Sequence, residues 1–412
     1  MPGRNRKRTR VEICAERILM AEHDEVPSEA DSDVPELVSE SDDDGIDVGP
    51  LLEVPSEEDP EDTTPSDADV EFINTKALDP TCPLQDGTTP DCGLSVESMS
   101  ILEWFQIPMI VFQILAILNR SPKYQNFPDL NGIEYFAGHA AVSRHLRAQT
   151  SFMGHSVLSY DIKHGPLEDW NGAAGFITAI QWWRRLLQHE LVWLGTVCSS
   201  WIFMCMGSSG RSIRDPRGST QYAAIREGNA HVARSALMMA LTYACNQCFV
   251  LEQPGSSLMP HHPALKWIRQ RAHDAGFVFH IVETFMFQFG GKTLKPTILL
   301  SNNKWTHGLV RKRPYVSKSK ESARMVKTYT RSDGKRRCTG TKGLKSTQQY
   351  PEGFRHAVAN NFINQRETFN DVPDQHIVRY DQDLDEEDDP WEDLDLERSL
   401  AWLLEEVAPI RS

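Results

Sequence analysis

The sequence is poor in cysteine: eight residues in 412, at positions 14, 82, 92, 198, 205, 245, 248 and 338, without the spacing of a disulfide framework. That excludes a small disulfide-stapled fold and favours a reducing, intracellular compartment. Long apolar runs are missing too. Residues 101–118 come nearest to membrane-spanning length, but Glu103, Gln106, Pro108 and Gln113 interrupt them, so they read as a buried or amphipathic helix and no membrane partner is expected. No apolar core of a secretory signal follows the basic stretch from Arg4 to Arg10, which suits nuclear import or a solvated tail. Residues 18–98 have almost no aromatics and are filled with Asp, Glu, Ser and Pro, as in the string from Ser39 to Asp44. Such a segment buries too little apolar surface to offset the entropy of ordering, and disorder is expected there.

What is present divides by charge. The net charge of −15 averages −20 over residues 1–98, +17 over residues 99–365 and −12 over residues 366–412. A basic body between two acidic arms keeps nucleic acid in view as a partner despite the low overall charge. The expected organisation is a disordered acidic N-terminal arm with a basic start (1–98), an α/β domain (99–365) with an exposed basic flap at about 303–345, and an acidic C-terminal arm (366–412). In that last arm Leu394, Leu396, Leu400, Trp402, Leu403, Leu404 and Val407 return at roughly helical spacing. They predict a short amphipathic helix that either binds a protein partner or docks on the protein's own body.

Within the body, apolar runs at 132–136, 156–160, 191–195, 248–252 and 277–283 alternate with helix-like stretches at 140–150, 175–189, 223–247 and 263–275. That alternation predicts an α/β fold with a doubly wound, mostly parallel sheet. The first strand runs into Phe136-Ala-Gly138-His-Ala140 at the start of a helix, where a small residue lets backbone approach a ligand and helix N–H groups face an anion. The second ends in Tyr160-Asp161, an acid placed to accept hydrogen bonds from a ribose. Together they point to an adenosine-containing ligand. The third leads into Gly195-Thr-Val-Cys198, and the fourth ends in Glu252-Gln-Pro254. An isolated cysteine is usually an apolar filler. Paired with a carboxylate on the neighbouring strand end, it suits thiolate attack on an electron-poor ring with proton delivery to a ring nitrogen.

These motifs, in this order, resemble the cytosine-5 DNA methyltransferases, members of the class I S-adenosylmethionine-dependent methyltransferase fold. Phe289-Gly-Gly-x-x-x-Lys295-Pro-Thr297 with Ser301-Asn302 resembles a segment of phage and protist relatives, and Gln348 to Phe354 lies where such enzymes complete the cofactor pocket. The resemblance spans roughly residues 130–365. It implies that Phe136, Gly138 and Ala140 line the methionine part of S-adenosylmethionine, Asp161 holds its ribose and Asp169 contacts its adenine. It also implies that Cys198 adds to C6 of a flipped-out cytosine while Glu252 binds the Watson–Crick edge. The chain departs from the family at Val197 and Ser199, where Pro and Gln flank the nucleophile, and at Gln253-Pro254, where Asn-Val follows the glutamate. The same fold without catalysis, serving as a nucleic-acid-binding scaffold, and a methyltransferase acting on RNA or protein are therefore the alternatives.

Phosphate contact is expected from Arg211, Arg214, Arg217 and Arg226 beside the cysteine loop, and from Lys295, Arg311, Lys312 and Arg313. DNA is the favoured nucleic acid. Trp201, Trp305 and Tyr315 are candidates for base stacking, with core packing as the commoner role of tryptophan. The Cys245-x-x-Cys248 pair lacks the companion ligands of a zinc site, and no metal is expected.

Overall fold

The computed structural model describes residues 91–125, 127–149, 156–202, 205–314, 326–330, 336–340, 349–366 and 389–408. Most of the expected disordered stretch therefore lies outside the described residues. Its last part does not fit that expectation, since Cys92 is buried and Ser95 caps the first helix by accepting from Ser98 N–H.

Chain order is α1 (Val96–Trp104), α2 (Met109–Arg120), β1 (Leu130–Tyr135), α3 (Ala141–Ala148), β2 (Val157–Tyr160), α4 (Ala173–Trp183), β3 (Leu186–Leu194), α5 (Ala223–Ala244), β4 (Cys248–Pro254), α6 (Pro263–Asp274), β5 (His280–Phe285), β6 (Pro296–Ser301), β7 (Val326–Thr330), β8 (Arg336–Gly340), α7 (Glu352–Arg366) and α8 (Glu397–Val407). Six strands make one sheet in the order β2-β1-β3-β4-β6-β5; β2, β1, β3 and β4 are mutually parallel and β6 runs antiparallel to both its neighbours. The α/β sheet is thus mixed but mostly parallel. From β1 the chain steps outward to β2 and then returns across β1 to β3, and this reversal opens a crevice at the carboxyl ends of β1 and β3.

Both faces of the sheet are covered, so its central strands read as continuous apolar runs rather than alternating ones. Successive side chains still go to opposite layers: Val192 and Leu194 of β3, with Phe249 and Leu251 of β4, join one core, while Leu191 and Trp193, with Cys248 and Val250, join the other. The first core takes in α1, α2, α4, α5, α6 and α8, and the second takes in α3 and α7.

Several element boundaries differ from the expectation. Residues 101–118 are two helices, not one, because Pro108 has no N–H to continue the first and the chain turns at Gln106 with a left-handed φ of 52°. The helix expected through residue 189 stops at Trp183, and Leu186 already pairs with Leu130 ahead of an irregularity in the β1–β3 register. Strand β6 lies within a stretch read as a motif rather than as a strand. Part of the expected exposed flap is core: Trp305, Thr306 and Leu309 are buried, and the Trp305 ring meets Phe362 of α7 edge-on. Further along, β7 and β8 form an antiparallel two-stranded ribbon, and residues 315–325, 331–335 and 341–348 lie outside the described residues.

The C-terminal amphipathic segment docks on the protein itself. Trp391, Leu394, Leu396 and Leu403 are buried in the first core, against α2, α4 and α5. Buried Arg234 of α5 clamps the approach, donating from Nε to Leu394 O (3.1 Å), from Nη2 to Asp395 O (2.7 Å) and from Nη1 to Trp170 O (2.6 Å). Docking on the protein's own body, one of the two alternatives expected for this segment, is what the apolar face does, and the folded body includes residues 389–408. Leu403→Ala should cost about 2–5 kcal/mol of stability, measured by urea denaturation; a change under about 0.5 kcal/mol, the scale of surface substitutions, would mean that the segment does not dock.

Candidate active site

The turn after β1 is held in an unusual conformation. Phe136, Gly138 and Ala140 all have left-handed φ, at 57°, 52° and 51°, which is costly for the two residues that are not glycine. Hydrogen bonds on every side determine it: Ala137 N–H donates to Tyr160 O (3.1 Å), Ala140 N–H to Ala137 O (2.7 Å) and Gly138 N–H to Asp161 Oδ2 (2.6 Å). Glu134, buried at the end of β1, accepts from Val142 N–H on Oε1 (3.2 Å) and from Ser143 N–H on Oε2 (2.7 Å). Burial raises the pKa of this carboxyl, and the bonds from the first turn of α3 oppose that rise. These two N–H groups of α3, expected to be open to a ligand anion, are thus spent on the chain's own acid.

Asp161 sits opposite, at the end of β2. Each of its oxygens takes one backbone N–H, Oδ2 from Gly138 and Oδ1 from Lys163 (3.1 Å), which leaves a lone-pair site on each for a hydroxyl. Ile162 next to it is 63% exposed and offers an apolar surface, and a Cβ built on Gly138 would have only Phe136 O, at 4.0 Å, for a neighbour. Asp161 thus presents free acceptor sites beside the exposed Ile162 side chain and the open side of Gly138. Asp169 turns inward: its Oδ1 accepts from Asn171 N–H (3.0 Å), and a Cβ on Gly175 would strike Asp169 O. The acid that reaches Asp161 is Glu168, whose Oε2 accepts the Asp161 N–H (2.8 Å). Sequence reasoning missed Glu168 because nothing in its spacing separates it from the neighbouring Asp169.

The second half of the rim brings Cys198 and Glu252 together. The cysteine loop is anchored at its base by Gly195 N–H on Tyr135 O (3.2 Å), by Gln253 Nε2 donating to Thr196 O (2.7 Å) and by Thr196 Oγ1 against Ser235 Oγ (3.0 Å). Gln253, an apparent departure from the family, thus ties the Glu252 strand to the Cys198 loop. Cys198 is half-buried. Its thiol pKa is raised, first by burial and then by the Glu252 carboxylate, while Lys295 pulls the other way, so the thiol is protonated at neutral pH. Glu252 is 7% exposed, and its Oε2 accepts from Tyr350 Oη (3.2 Å). Its Oε1 is buried without a hydrogen-bond partner, 3.6 Å from Lys295 Nζ. Lys295, expected on a phosphate, lies instead beside the carboxylate at an unusual φ of 20°.

The other expected phosphate ligands separate into two groups. Arg211 is buried, stacked 3.4 Å over the Trp201 ring, and donates to Pro216 O, Asn229 Oδ1 and Ile225 O (2.6, 2.6 and 3.1 Å). Arg217 donates to Asp393 Oδ2 (2.9 Å) and Asp389 O (2.8 Å) and pairs with Glu392 (3.2 Å). Neither is open to phosphate, because a long arginine close to backbone carbonyls or to acids of the same chain is captured by them first. Arg214, Lys312 and Arg313 are exposed, and Arg311 packs 4.8 Å over the Phe289 ring while donating to Gly308 O (2.9 Å). Trp201 and Trp305 are fully buried, which removes them as stacking platforms, and Tyr315 lies outside the described residues. Cys248 is buried with Trp305 Nε1 donating to its Sγ (3.2 Å).

No family model, no curated protein and no solved structure matches the chain. Among the described residues no three His, Cys, Asp or Glu side chains converge as metal ligands, and no helix is long and apolar enough to cross a membrane.

Among the acids that capture Arg217, Asp393 should have a measurable titration. Burial alone would raise the Asp393 pKa, but its contacts with His262 Nε2 (3.3 Å) and Arg217 outweigh burial and bring it down to about 2. A depressed carboxylate contributes stability above its unfolded pKa of about 3.9 and loses it as pH falls through the folded value. On the order of 2 kcal/mol should therefore disappear between pH 4 and 2. Asp393→Asn should flatten that part of the stability–pH curve, followed by chemical denaturation; an unchanged slope would mean that Asp393 is not paired.

Proposed function

We propose that this protein is an S-adenosylmethionine-dependent methyltransferase acting on cytosine in DNA, with a nuclear site of action, Cys198 as nucleophile and Glu252 as the acid that holds the base. The observation that carries the reading is the buried Oε1 of Glu252, which has no hydrogen-bond partner and lies close enough to Cys198 to perturb its thiol. A buried carboxylate oxygen without a hydrogen-bond donor is costly, and a bound ligand that supplies a donor would relieve that cost. The exocyclic amine and ring nitrogen of a cytosine offer the required partners, and the C6 position beside them suits addition of sulfur. The sheet order, with β6 reversed between β4 and β5, agrees with the class I methyltransferase fold that the motifs resemble.

On this reading Asp161 binds the cofactor's ribose, Ile162 packs on its adenine, and Phe136, Gly138 and Ala140 shape the turn beneath it. S-adenosylmethionine supplies an electrophilic methyl group when bound. As sulfur bonds to C6, the thiol proton passes through solvent to Glu252, which delivers a proton to N3, and the C5=C6 π pair moves to C5. Lys295 stands beside Glu252 to balance the carboxylate. Arg214, Lys312 and Arg313 carry the phosphate contacts. The protonated state of the Cys198 thiol favours one other reading, a non-catalytic nucleic-acid binder of the same fold.

Two measurements separate these readings. Calorimetric titration of the full chain with S-adenosylmethionine should give micromolar binding that weakens about 10- to 100-fold in Asp161→Ala, the worth of hydrogen bonds to a charged acceptor. Absence of binding by folded protein would overturn the cofactor assignment. An oligonucleotide bearing 5-fluorocytosine should then become covalently attached at Cys198 and nowhere else. Binding of both ligands with no adduct would leave the non-catalytic reading.

A further inference from the structure

Tyr350 does more than fill space at the rim. It stands in a short stretch ahead of α7, and its ring packs edge-on to Trp193 of β3, with centroids 5.8 Å apart. Its hydroxyl lies 3.2 Å from Trp193 Nε1 and 3.2 Å from Glu252 Oε2. An indole N–H can only donate, so the Tyr350 oxygen accepts there and its own hydrogen is directed to Glu252. The direction of the chain Trp193 to Tyr350 to Glu252 is therefore fixed by the chemistry of its first member. Burial, and next the Glu252 carboxylate, hold the phenol pKa well above its ordinary value, so the donor is present throughout the physiological range. Gly195 lies against this approach: a Cβ there would stand in ordinary contact, 3.4 Å from Tyr350 Oη and 3.4 Å from Phe136 O. The adjacent Gln349 reaches His139 in the β1 turn, with Nε2 atoms 2.9 Å apart, so one segment touches both halves of the crevice.

We propose that Tyr350 is a positioning residue that assigns separate roles to the two oxygens of Glu252. Oε2 is a permanent acceptor from the phenol, and Oε1 is the oxygen left to face the base. This inference rests on the reading of Glu252 as the base-binding acid and adds the residue that orients it. A carboxylate free to rotate would present either oxygen, protonated or not, and lose the alignment that recognition of a ring edge requires.

The test uses Cys198 as a reporter. The charged or titratable groups that act on it are Glu252, Lys295 and Cys205; those that act on Tyr350 are Glu252 and Glu134. In the full chain, the rate of Cys198 alkylation by iodoacetamide is followed against pH by peptide mapping. Tyr350→Phe keeps the ring and removes the hydroxyl. Without its donor, the Glu252 carboxylate is free to turn toward Lys295, which moves negative charge away from the thiol. The alkylation midpoint should fall by roughly half a unit or more in Tyr350→Phe. It should fall likewise in Glu252→Gln, and no further in the double variant, since the tyrosine acts only through the glutamate. A midpoint in Tyr350→Phe equal to that of the unaltered protein, with Glu252→Gln still lowering it, would reduce Tyr350 to packing. Additive shifts in the double variant would likewise overturn the proposal. No methyl donor or acceptor enters the experiment, so failure of the methyltransferase reading and failure of this inference remain distinguishable.

Discussion

The buried carboxylate of Glu134 closes the end of β1 against the start of α3, and the geometry of the crevice depends on it. With both oxygens engaged by N–H groups of α3, the helix begins at a determined point and direction, and the five residues between strand and helix are forced into a turn with three left-handed positions. Asp161 then ties that turn to β2 through Gly138. Two acids of the chain thus consume backbone donors that a ligand could otherwise use.

Charge in this protein is spent internally as much as it is displayed. Arg211, Arg217 and Arg234 hold loops and the C-terminal segment in place, each bonded to backbone carbonyls or to acids distant in sequence. The acidic residues 389–395 are part of this arrangement. Composition describes a basic body with an acidic arm, whereas the folded molecule neutralises a portion of each against the other. The cations left over, Arg214, Lys312 and Arg313 among them, are fewer than composition implies and are grouped near the crevice loops in sequence.

Cys198 and Glu252 oppose each other electrostatically, and the segment before α7 manages that conflict. A buried thiol beside a carboxylate stays protonated, Lys295 offsets part of the negative charge, and Tyr350 holds one carboxylate oxygen by a hydrogen bond whose direction Trp193 dictates. What remains is Glu252 Oε1, which has no hydrogen-bond donor and faces Lys295 Nζ at 3.6 Å.

By itself the sequence determined the local elements and the order of the motifs. Mostly apolar runs covered on both faces mark β1, β3 and β4, and Gly138, Asp161, Cys198 and Glu252 fall at or just past strand ends because each follows such a run closely. Other features are pairings over long separations, which local pattern does not encode. They include the reversed strand β6, the burial of Arg211, Trp201 and Trp305, and the docking of Leu403. Tyr350 is the clearest case: 98 residues separate it from Glu252 and 157 from Trp193, and only packing of α7 onto the sheet brings the three together. Spacing can place a carboxylate at a rim, but which of its oxygens is free is decided by neighbours that arrive from elsewhere in the chain.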